Sequence, residues 1–596
     1  MSTSESELFS RALALLKQYF GYKSFRPAQA PVVQSLLTGR DAVAIMPTGA
    51  GKSICFQIPA LLLPGITLVI SPLISLMKDQ VDALSDAGVP ATFINSTLTS
   101  AEWSTRMNAI ADGAYKLVYV APERLETSAF QGITSRVPIA MVAVDEAHCL
   151  SQWGHDFRPS YQNIAPFIAS LPRRPMVSAF TATATPEVRD DIVRLLALQN
   201  PAVHITGFDR PNLYFEVRRG ENKKKFVTRY VKAHADEAGI IYAATRKEVD
   251  KLTEYLQKNH IAAGSYHAGL SDAERAKAQD DFLYDNLQVI VATNAFGMGI
   301  DKSNVRYVLH YNMPKNIESY YQEAGRAGRD GEPGECILLY SPQDTRTQRY
   351  LIDVSTEDEE RRRIETQKLQ RMIDYCHTPE CLRSFILHYF GASDSSASCD
   401  NCSNCKSGAI DVDVTIDAQK VFSCVYRMRE RYGINLVAQV LKGSADQRVK
   451  SLHLDELSTY GLYPKKTIDD IKLMIQRFIA TGYLALDNGE YPMIHLQPPA
   501  YDVLRGRMTV IQRILPEKEK ESPADTGMFQ YLRALRKSIA QEESIPPYMI
   551  FSDKTLRSMC EILPRNEEEF LDVSGVGQRK LEKYGEAFLK CIAEHR

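Results

Sequence analysis

Residues 44–53 read A-I-M-P-T-G-A-G-K-S, from Ala44 to Ser53. The apolar run ahead of them, residues 42–45, reads as a strand, and a helical pattern begins near Ser53. A strand, a glycine-containing loop, Lys-Ser and then a helix make a phosphate cradle, because backbone N–H groups and the helix N-terminus face the anion. In that reading Thr48, Gly49 and Gly51 shape the loop. Lys52 reaches the β- and γ-phosphates, and the Ser53 hydroxyl sits on Mg²⁺. Met46 stands where the strict G-x-x-x-x-G-K-[ST] pattern has its first glycine. Taken alone, the loop also reads as a glycine turn with a surface lysine.

The surroundings favour the cradle. Short apolar runs at 42–45, 67–70, 117–120, 141–144 and 177–180 alternate with helical patterns. Near-continuous apolar runs suit central parallel strands covered on both faces. Their alternation with helices predicts a doubly wound α/β sheet, with ligand beyond the carboxyl ends of the strands. Runs at 239–242, 289–292, 307–309 and 337–340 repeat the pattern without a second phosphate loop. Two α/β lobes are therefore expected, meeting near residues 207–212.

Three further stretches carry chemistry. V-D-E-A-H, Val144 to His148, ends the fourth run. There Asp145 can orient hydrated Mg²⁺ and Glu146 can take the proton of the attacking water, although an exposed acidic loop has the same letters. Q-E-A-G-R-A-G-R-D-G, Gln322 to Gly331, closes the second lobe. Arg326 or Arg329 can supply an arginine finger to a γ-phosphate held by the first lobe, and Gln322 joins the nucleotide contacts. ATP would then draw the lobes together and hydrolysis would release them. L-S-Q-W-G-H-D-F-R-P, Leu150 to Pro159, follows the acidic motif directly. Trp153, His155, Phe157 and Arg158, interleaved in one loop, suit stacking on unpaired bases, and Ser151 and Gln152 join them as DNA-contacting or coupling residues. A tryptophan anchoring the loop to its own domain is the alternative.

Net charge is −2, from 71 basic and 73 acidic residues among 596, which argues against an indiscriminate polycation. A local basic track would still serve nucleic acid. The start, M-S-T-S-E-S-E-L, shows no signal-peptide pattern, and no apolar run reaches membrane-spanning length. A soluble, intracellular protein of several domains is expected. Of 11 cysteines, five crowd between Cys376 and Cys405. Cys399, Cys402 and Cys405 form C-x₂-C-x₂-C, with Cys381 eighteen residues upstream. Four thiolates suit tetrahedral Zn²⁺, and by spacing alone Cys376 also qualifies as a ligand. Cys55, Cys149, Cys336, Cys424, Cys560 and Cys591 read as core residues of a reducing compartment.

Residues 343–390 are helical and charged. Residues 410–515 read as helices, then a hairpin turning at Asp487-Asn488-Gly489. That order predicts a winged helix, either DNA-contacting or purely structural. A charged linker from Pro516 to Pro523 leads to a helical bundle containing S-G-V-G-Q-R-K-L, Ser574 to Leu581. The glycine turn could hold a DNA phosphate, but residues 526–596 carry eleven Lys/Arg and eleven Asp/Glu.

Taken in order, F-G-Y-K-S-F-R-P-A-Q, M-P-T-G-A-G-K-S, S-P-L-I-S-L-M-K-D-Q, A-P-E-R-L, D-E-A-H, S-Q-W-G-H-D-F-R-P, T-A-T-A-T, Y-H-A-G-L, A-F-G-M-G-I-D-K and Q-E-A-G-R-A-G-R-D-G resemble the RecQ family of superfamily 2 DNA helicases. The resemblance covers essentially the whole chain. It implies two RecA-like lobes (1–207 and 208–342), a helical zinc-binding subdomain (343–408) and a winged helix (409–515). A linker (516–526) and a C-terminal HRDC bundle (527–596) complete the implied order. It implies that Tyr22 stacks on adenine while Arg26 and Gln29 hydrogen-bond it. Cys381 becomes the first zinc ligand, and residues 178–185 and 295–301 couple nucleotide state to DNA. The implied activity is ATP- and Mg²⁺-dependent 3′-to-5′ translocation on single-stranded DNA, with unwinding of branched duplexes in recombination and repair. The implied setting is the cytoplasm and nucleoid, away from membranes, with a single-strand-binding protein and a topoisomerase as partners. An RNA helicase and a weakly unwinding translocase or annealing scaffold are the rival readings. The short wing, with Tyr491 the one aromatic near its tip, keeps the second rival open.

Overall fold

The computed structural model describes residues 3–297, 302–392, 398–487, 492–514, 527–543 and 547–595. Part of the expected coupling stretch (298–301), the tip of the wing with Asn488, Gly489 and Tyr491, and the linker lie outside these residues. The chain divides into two compact units, Met1–Ile514 and Leu515–Arg596.

Helices α1 (Thr3–Phe20) and α2 (Gln29–Leu37) precede a seven-stranded sheet. Its strands are β1 (Ala42–Ile45), β2 (Ile66–Ile70), β3 (Ala91–Ile94), β4 (Leu117–Val120), β5 (Ile139–Val144), β6 (Met176–Thr181) and β7 (Ala202–Ile205). They run in the order β3-β4-β2-β5-β6-β1-β7, all parallel. The second sheet holds β8 (Leu213–Arg219), β9 (Ala238–Tyr242), β10 (Ala263–Tyr266), β11 (Val289–Ala292), β12 (Val305–His310) and β13 (Gly334–Tyr340). Its order is β10-β11-β9-β12-β13-β8, again all parallel. Parallel strands need crossovers, and the helices that supply them bury both faces. Val43, Leu68, Val118, Val142 and Val177 are accordingly sealed from solvent.

Strand order places the chemistry. β6 lies between β1 and β5, with Ile45 beside Thr181 and Val144 beside Ala179. The segments after β1, β5 and β6 therefore emerge side by side at the carboxyl edge, where ligands bind in such sheets. They are the phosphate loop, the acidic motif and T-A-T-A-T.

Helices Glu359–His377 and Leu382–Tyr389 follow the second lobe. In the next region the helix Ile468–Ala480 starts at a capping box of Thr467 and Asp470, and it buries Ile471, Ile475, Phe478 and Ile479. That face packs under a hairpin of β15 (Leu484–Leu486) and β16 (Ile494–Leu496), as a winged helix requires. One pairing was not expected: β14 (Ile410–Asp413) joins β17 (Ile511–Ile514) antiparallel, tying the two ends of this region together. The second unit is a helical bundle around Leu532, Phe551, Met559, Phe570 and Phe588. Among the described residues no helix is long and apolar enough to cross a membrane.

Candidate active site and metal centre

The phosphate loop is shaped by backbone geometry at Gly49 and Gly51, whose φ values of 83° and 79° favour glycine. A Cβ at Gly51 would also collide with the Gln29 amide. Lys52 opens the helix α3 (Lys52–Leu62), and its Nζ donates to the Met46 carbonyl at 3.3 Å. Met46 is fully buried, and its N–H donates to Thr181 at 3.0 Å. The residue in place of a first glycine thus continues the strand. Ser53 follows on α3, half-buried.

The upstream motif touches the loop directly. Arg26 Nη1 donates to the Gly49 carbonyl at 2.6 Å, while Gln29 Nε2 donates to Ala50 at 3.2 Å and Gly51 at 3.1 Å. Gln29 Oε1 accepts from the Arg26 N–H at 2.9 Å. Expected as an adenine contact, Gln29 here also clamps the loop. Tyr22 stays 54% exposed, with its ring available to a planar ligand.

The acidic motif is strained, and its two carboxylates are half-buried. Glu146 sits at φ 46° in the left-handed region, which costs a non-glycine residue roughly 1 kcal/mol. Burial and the neighbouring Glu146 push the Asp145 carboxyl up to about 7. Burial also works against charge on Glu146, yet His148, Lys52 and Arg326 hold it below the usual carboxylate range. Two adjacent half-buried carboxylates offer oxygen ligands suited to a divalent cation, which would keep Asp145 ionised. Burial disfavours the His148 imidazolium, but Cys149 and Glu146 outweigh it and push His148 up to about 10. Burial raises the Cys149 thiol as well, so Glu146 is the neighbouring negative charge at neutral pH.

His148 begins a relay towards the aromatic loop. Its Nδ1 lies 2.9 Å from Thr181 Oγ1, and its ring stacks on His155 at 4.1 Å. Burial, His148 and two lysines hold His155 well below its ordinary value, so it is neutral. His155 Nε2 lies 3.1 Å from Gln322 Oε1, and Gln322 Nε2 donates to Thr183 at 3.3 Å. Gln322 therefore bridges both lobes and the aromatic loop through its amide. Arg326 is buried and donates to the Gly297 carbonyl. Arg329 lies against the phosphate loop: a Cβ at Gly49 would be 3.8 Å from its Cγ.

The aromatic loop is held more firmly than its residue types suggest. Ser151 Oγ donates to Asp191 at 2.6 Å and accepts from the Trp153 N–H at 3.1 Å. Trp153, Phe157 and Arg158 are half-buried, and Gln152 is exposed. Arg158 pairs with Asp156 at 3.0 Å and donates to the Pro72 carbonyl at 2.8 Å. From the helix Glu359–His377, Arg361 donates to Gly154 at 3.0 Å and stands over the Phe157 ring, and Lys368 donates to the Trp153 carbonyl. Lys368 also pairs with Glu318 at 2.7 Å, both nearly fully buried. Neither Arg361 nor Lys368 belongs to a recognisable sequence motif. A cavity of about 550 Å³ opens beside the loop, lined among others by His155, Phe157, Asn294, Lys315 and Arg361.

Cys381, Cys399, Cys402 and Cys405 converge, with all four Sγ atoms within 4.8 Å of one another. Backbone N–H groups of Ser384, Asn401 and Cys405 donate to Cys381, Cys399 and Cys402, each at 3.4 Å. Hydrogen bonds from Cys402 and Ser384 hold the Cys381 thiol below its ordinary value, against the effect of burial. Four clustered sulfurs with donors turned towards them suit a tetrahedral Zn²⁺. Cys376 is buried in the helix Glu359–His377, outside the cluster.

Comparison with known proteins gives a consistent picture. Residues 26–192 match the family described as DEAD/DEAH box helicase, and residues 222–331 match the helicase conserved C-terminal domain. Residues 342–406 match RecQ zinc-binding, 409–521 the RQC domain and 525–592 the HRDC domain. The ATP-dependent DNA helicase RecQ of Bacillus subtilis is 48% identical over 98% of this chain and 99% of its own length. Its counterpart from Haemophilus influenzae is 41% identical over 98% and 96%. The ATP-dependent helicase SGS1 of Saccharomyces cerevisiae is 34% identical over 91% of this chain, which spans 40% of that larger protein.

Proposed function

The chain belongs to the RecQ family of ATP-dependent DNA helicases, and from that premise we propose how its residues divide the work of unwinding DNA. It is an enzyme that couples ATP hydrolysis to duplex unwinding. Lys52 and the loop amides at Thr48, Gly49 and Gly51 hold the triphosphate, while Tyr22, Arg26 and Gln29 take the adenine. Ser53 and Asp145 would hold Mg²⁺, which would supply charge neutralisation at the phosphates. Glu146 accepts a proton from the attacking water, and Arg329 and Arg326 approach from the second lobe. The observation that carries this reading is convergence. Gly49, Glu146 and the turn bearing Arg326 and Arg329 come from distant parts of the sequence, yet Arg329 lies against Gly49 while Lys52 and Arg326 lie close enough to Glu146 to lower its carboxyl.

Ser151, Gln152, Trp153, His155, Phe157 and Arg158 form the coupling loop in this account. Single-stranded DNA enters beside it, near the cavity that His155 and Phe157 line. Binding there shifts the loop, and the His155–Gln322–Thr183 contacts pass the shift to the hydrolytic centre. Translocation runs 3′ to 5′, on substrates arising in recombination and repair. The protein acts in the cytoplasm at the nucleoid, with a single-strand-binding protein and a topoisomerase as partners. Trp153→Ala combined with Phe157→Ala should keep basal hydrolysis within about twofold while lowering strand displacement by at least about tenfold, since each lost base stack is worth roughly 1–3 kcal/mol. Unwinding at the normal rate would exclude the loop from coupling.

The four clustered cysteines bind one structural Zn²⁺. Metal analysis should give one zinc per chain, and Cys402→Ser should lose it together with the fold of the surrounding helices. A zinc-free protein with an unchanged thermal transition would exclude the site.

A further inference from the structure

The connection between the lobes, residues 208–213, reads F-D-R-P-N-L. Its arginine, Arg210, is half-buried and gives its whole guanidinium to main-chain carbonyls and one amide. Nη1 donates to Thr48 at 3.4 Å and to Gly325 at 3.3 Å. Nη2 donates to Ala327 at 3.1 Å and to Gly328 at 2.8 Å, and Nε donates to Asn212 at 3.3 Å. A planar fork of five donors can span such a set, whereas an ammonium on a flexible stem cannot. One side chain thus ties the phosphate loop to the turn that carries Arg326 and Arg329. Asn212 adds two bonds to the same turn, to Gly328 at 2.9 Å and Glu332 at 2.8 Å. Gly328 turns the chain there at φ 57°, which glycine adopts without a Cβ penalty.

The connection is gripped in turn from the cysteine cluster. Arg383, two residues after Cys381, is buried. It donates to the Asp209 carboxylate at 2.7 Å, to the Arg210 carbonyl at 2.6 Å and to the Leu213 carbonyl at 2.5 Å. Asn401, between Cys399 and Cys402, donates to Pro211 at 3.0 Å and Leu213 at 3.2 Å. Cys402 itself makes a β-bridge to Phe215, just inside β8. An unbroken series of hydrogen bonds therefore runs from the cluster through residues 209–213 to Arg210, and from Arg210 to the arginine turn.

We propose that Arg210 is a positioning residue for ATP hydrolysis, setting the arginine turn against the phosphate loop, and that Arg383 and Asn401 fix Arg210 in register. The cysteine cluster then governs the geometry of the hydrolytic centre in addition to the stability of its own subdomain. This rests on the reading of Arg329 as the finger. A finger misplaced by about 1 Å costs on the order of 10² in rate, so modest slack in the connection has a large effect.

The test measures hydrolysis at saturating single-stranded DNA, with zinc content and thermal unfolding recorded for each variant. Arg210→Ala should lower kcat by about 10² with KM for ATP within about twofold, because the ground-state grip on the triphosphate stays with Lys52. Arg210→Lys should remain slow, keeping the charge but losing the fork. Arg383→Ala and Asn401→Ala should lower kcat by roughly tenfold, by the same slackening, while keeping one zinc per chain. In an Arg329→Ala background none of these changes should slow hydrolysis further, since their effects act through that side chain. A slow Arg329→Ala beside a normal Arg210→Ala would overturn the proposal alone. Losses that add in full to that of Arg329→Ala would overturn it as well. Wild-type turnover in Arg329→Ala would overturn the finger assignment and the proposal together. Arg383→Ala slowed only through loss of zinc would remove the link to the cysteine cluster.

Discussion

Arg329→Ala should reduce kcat for DNA-stimulated ATP hydrolysis by about 10³, with ATP affinity nearly unchanged. The reason lies in when charge develops. An arginine finger meets negative charge that builds on the transferring phosphoryl group, so its loss appears in kcat and hardly in binding. Position supports this for Arg329, whose side chain lies against Gly49 although it comes from the opposite lobe. Arg329 is only half-buried, so truncation leaves no large cavity and thermal unfolding should stay within a few degrees. Arg329→Lys should recover little, because the planar fork is lost. A variant with normal kcat and weakened ATP binding would show that Arg329 serves only the ground state.

Lys52→Ala should abolish measurable hydrolysis, a loss on the order of 10³, while leaving DNA binding in place. Lys52 begins α3 behind a left-handed Gly51, so its side chain rises at the helix N-terminus where an anion collects. Its ammonium is also one of the charges that hold Glu146 low. Removing it lets the Glu146 carboxyl titrate higher while it stays ionised at neutral pH, so the expected loss comes from the cradle and not from the base. DNA should still bind, because none of the residues of the aromatic loop contacts Lys52 through a hydrogen bond or ion pair among the described residues. Retained turnover would refute the phosphate assignment, and joint loss of hydrolysis and DNA binding would indicate a folding defect.

The difference between legible and illegible strands follows sheet position. Runs such as Ala42–Ile45, Leu117–Val120 and Val289–Ala292 are fully buried, and their unbroken apolar character announces them. The four strands that went unread, β3, β7, β8 and β10, are the four edges of the two sheets. Two of these edges bury less: Val203 and Ile205 of β7 face solvent, and β10 reads Ala-Gly-Ser-Tyr, with no apolar run to see. The strands β14 and β17 are hidden for another reason. Their pairing joins residues about a hundred apart, and no local pattern reports it.

The chemistry was legible where it needs a particular residue at a fixed spacing. Phosphate loops, paired acids and clustered thiols are of that kind. Arg210, Arg361, Lys368 and Arg383 were not legible, because their partners are mostly main-chain carbonyls that any sequence offers. Only the fold says which carbonyls come within reach. Gln29 falls between the two cases. Its place beside the nucleotide site was expected, whereas its donation to Ala50 and Gly51 was not.

The central claim is that ATP hydrolysis between the lobes drives directional strand separation on DNA. Strand displacement measured on 3′-tailed DNA, 5′-tailed DNA and tailed RNA duplexes, with ATP and with a non-hydrolysable analogue, tests it most directly. The account predicts ATP-dependent release from the 3′-tailed DNA alone and none with the analogue. Release from the RNA or only from the 5′-tailed DNA, or hydrolysis stimulated by DNA without any displacement, would contradict it.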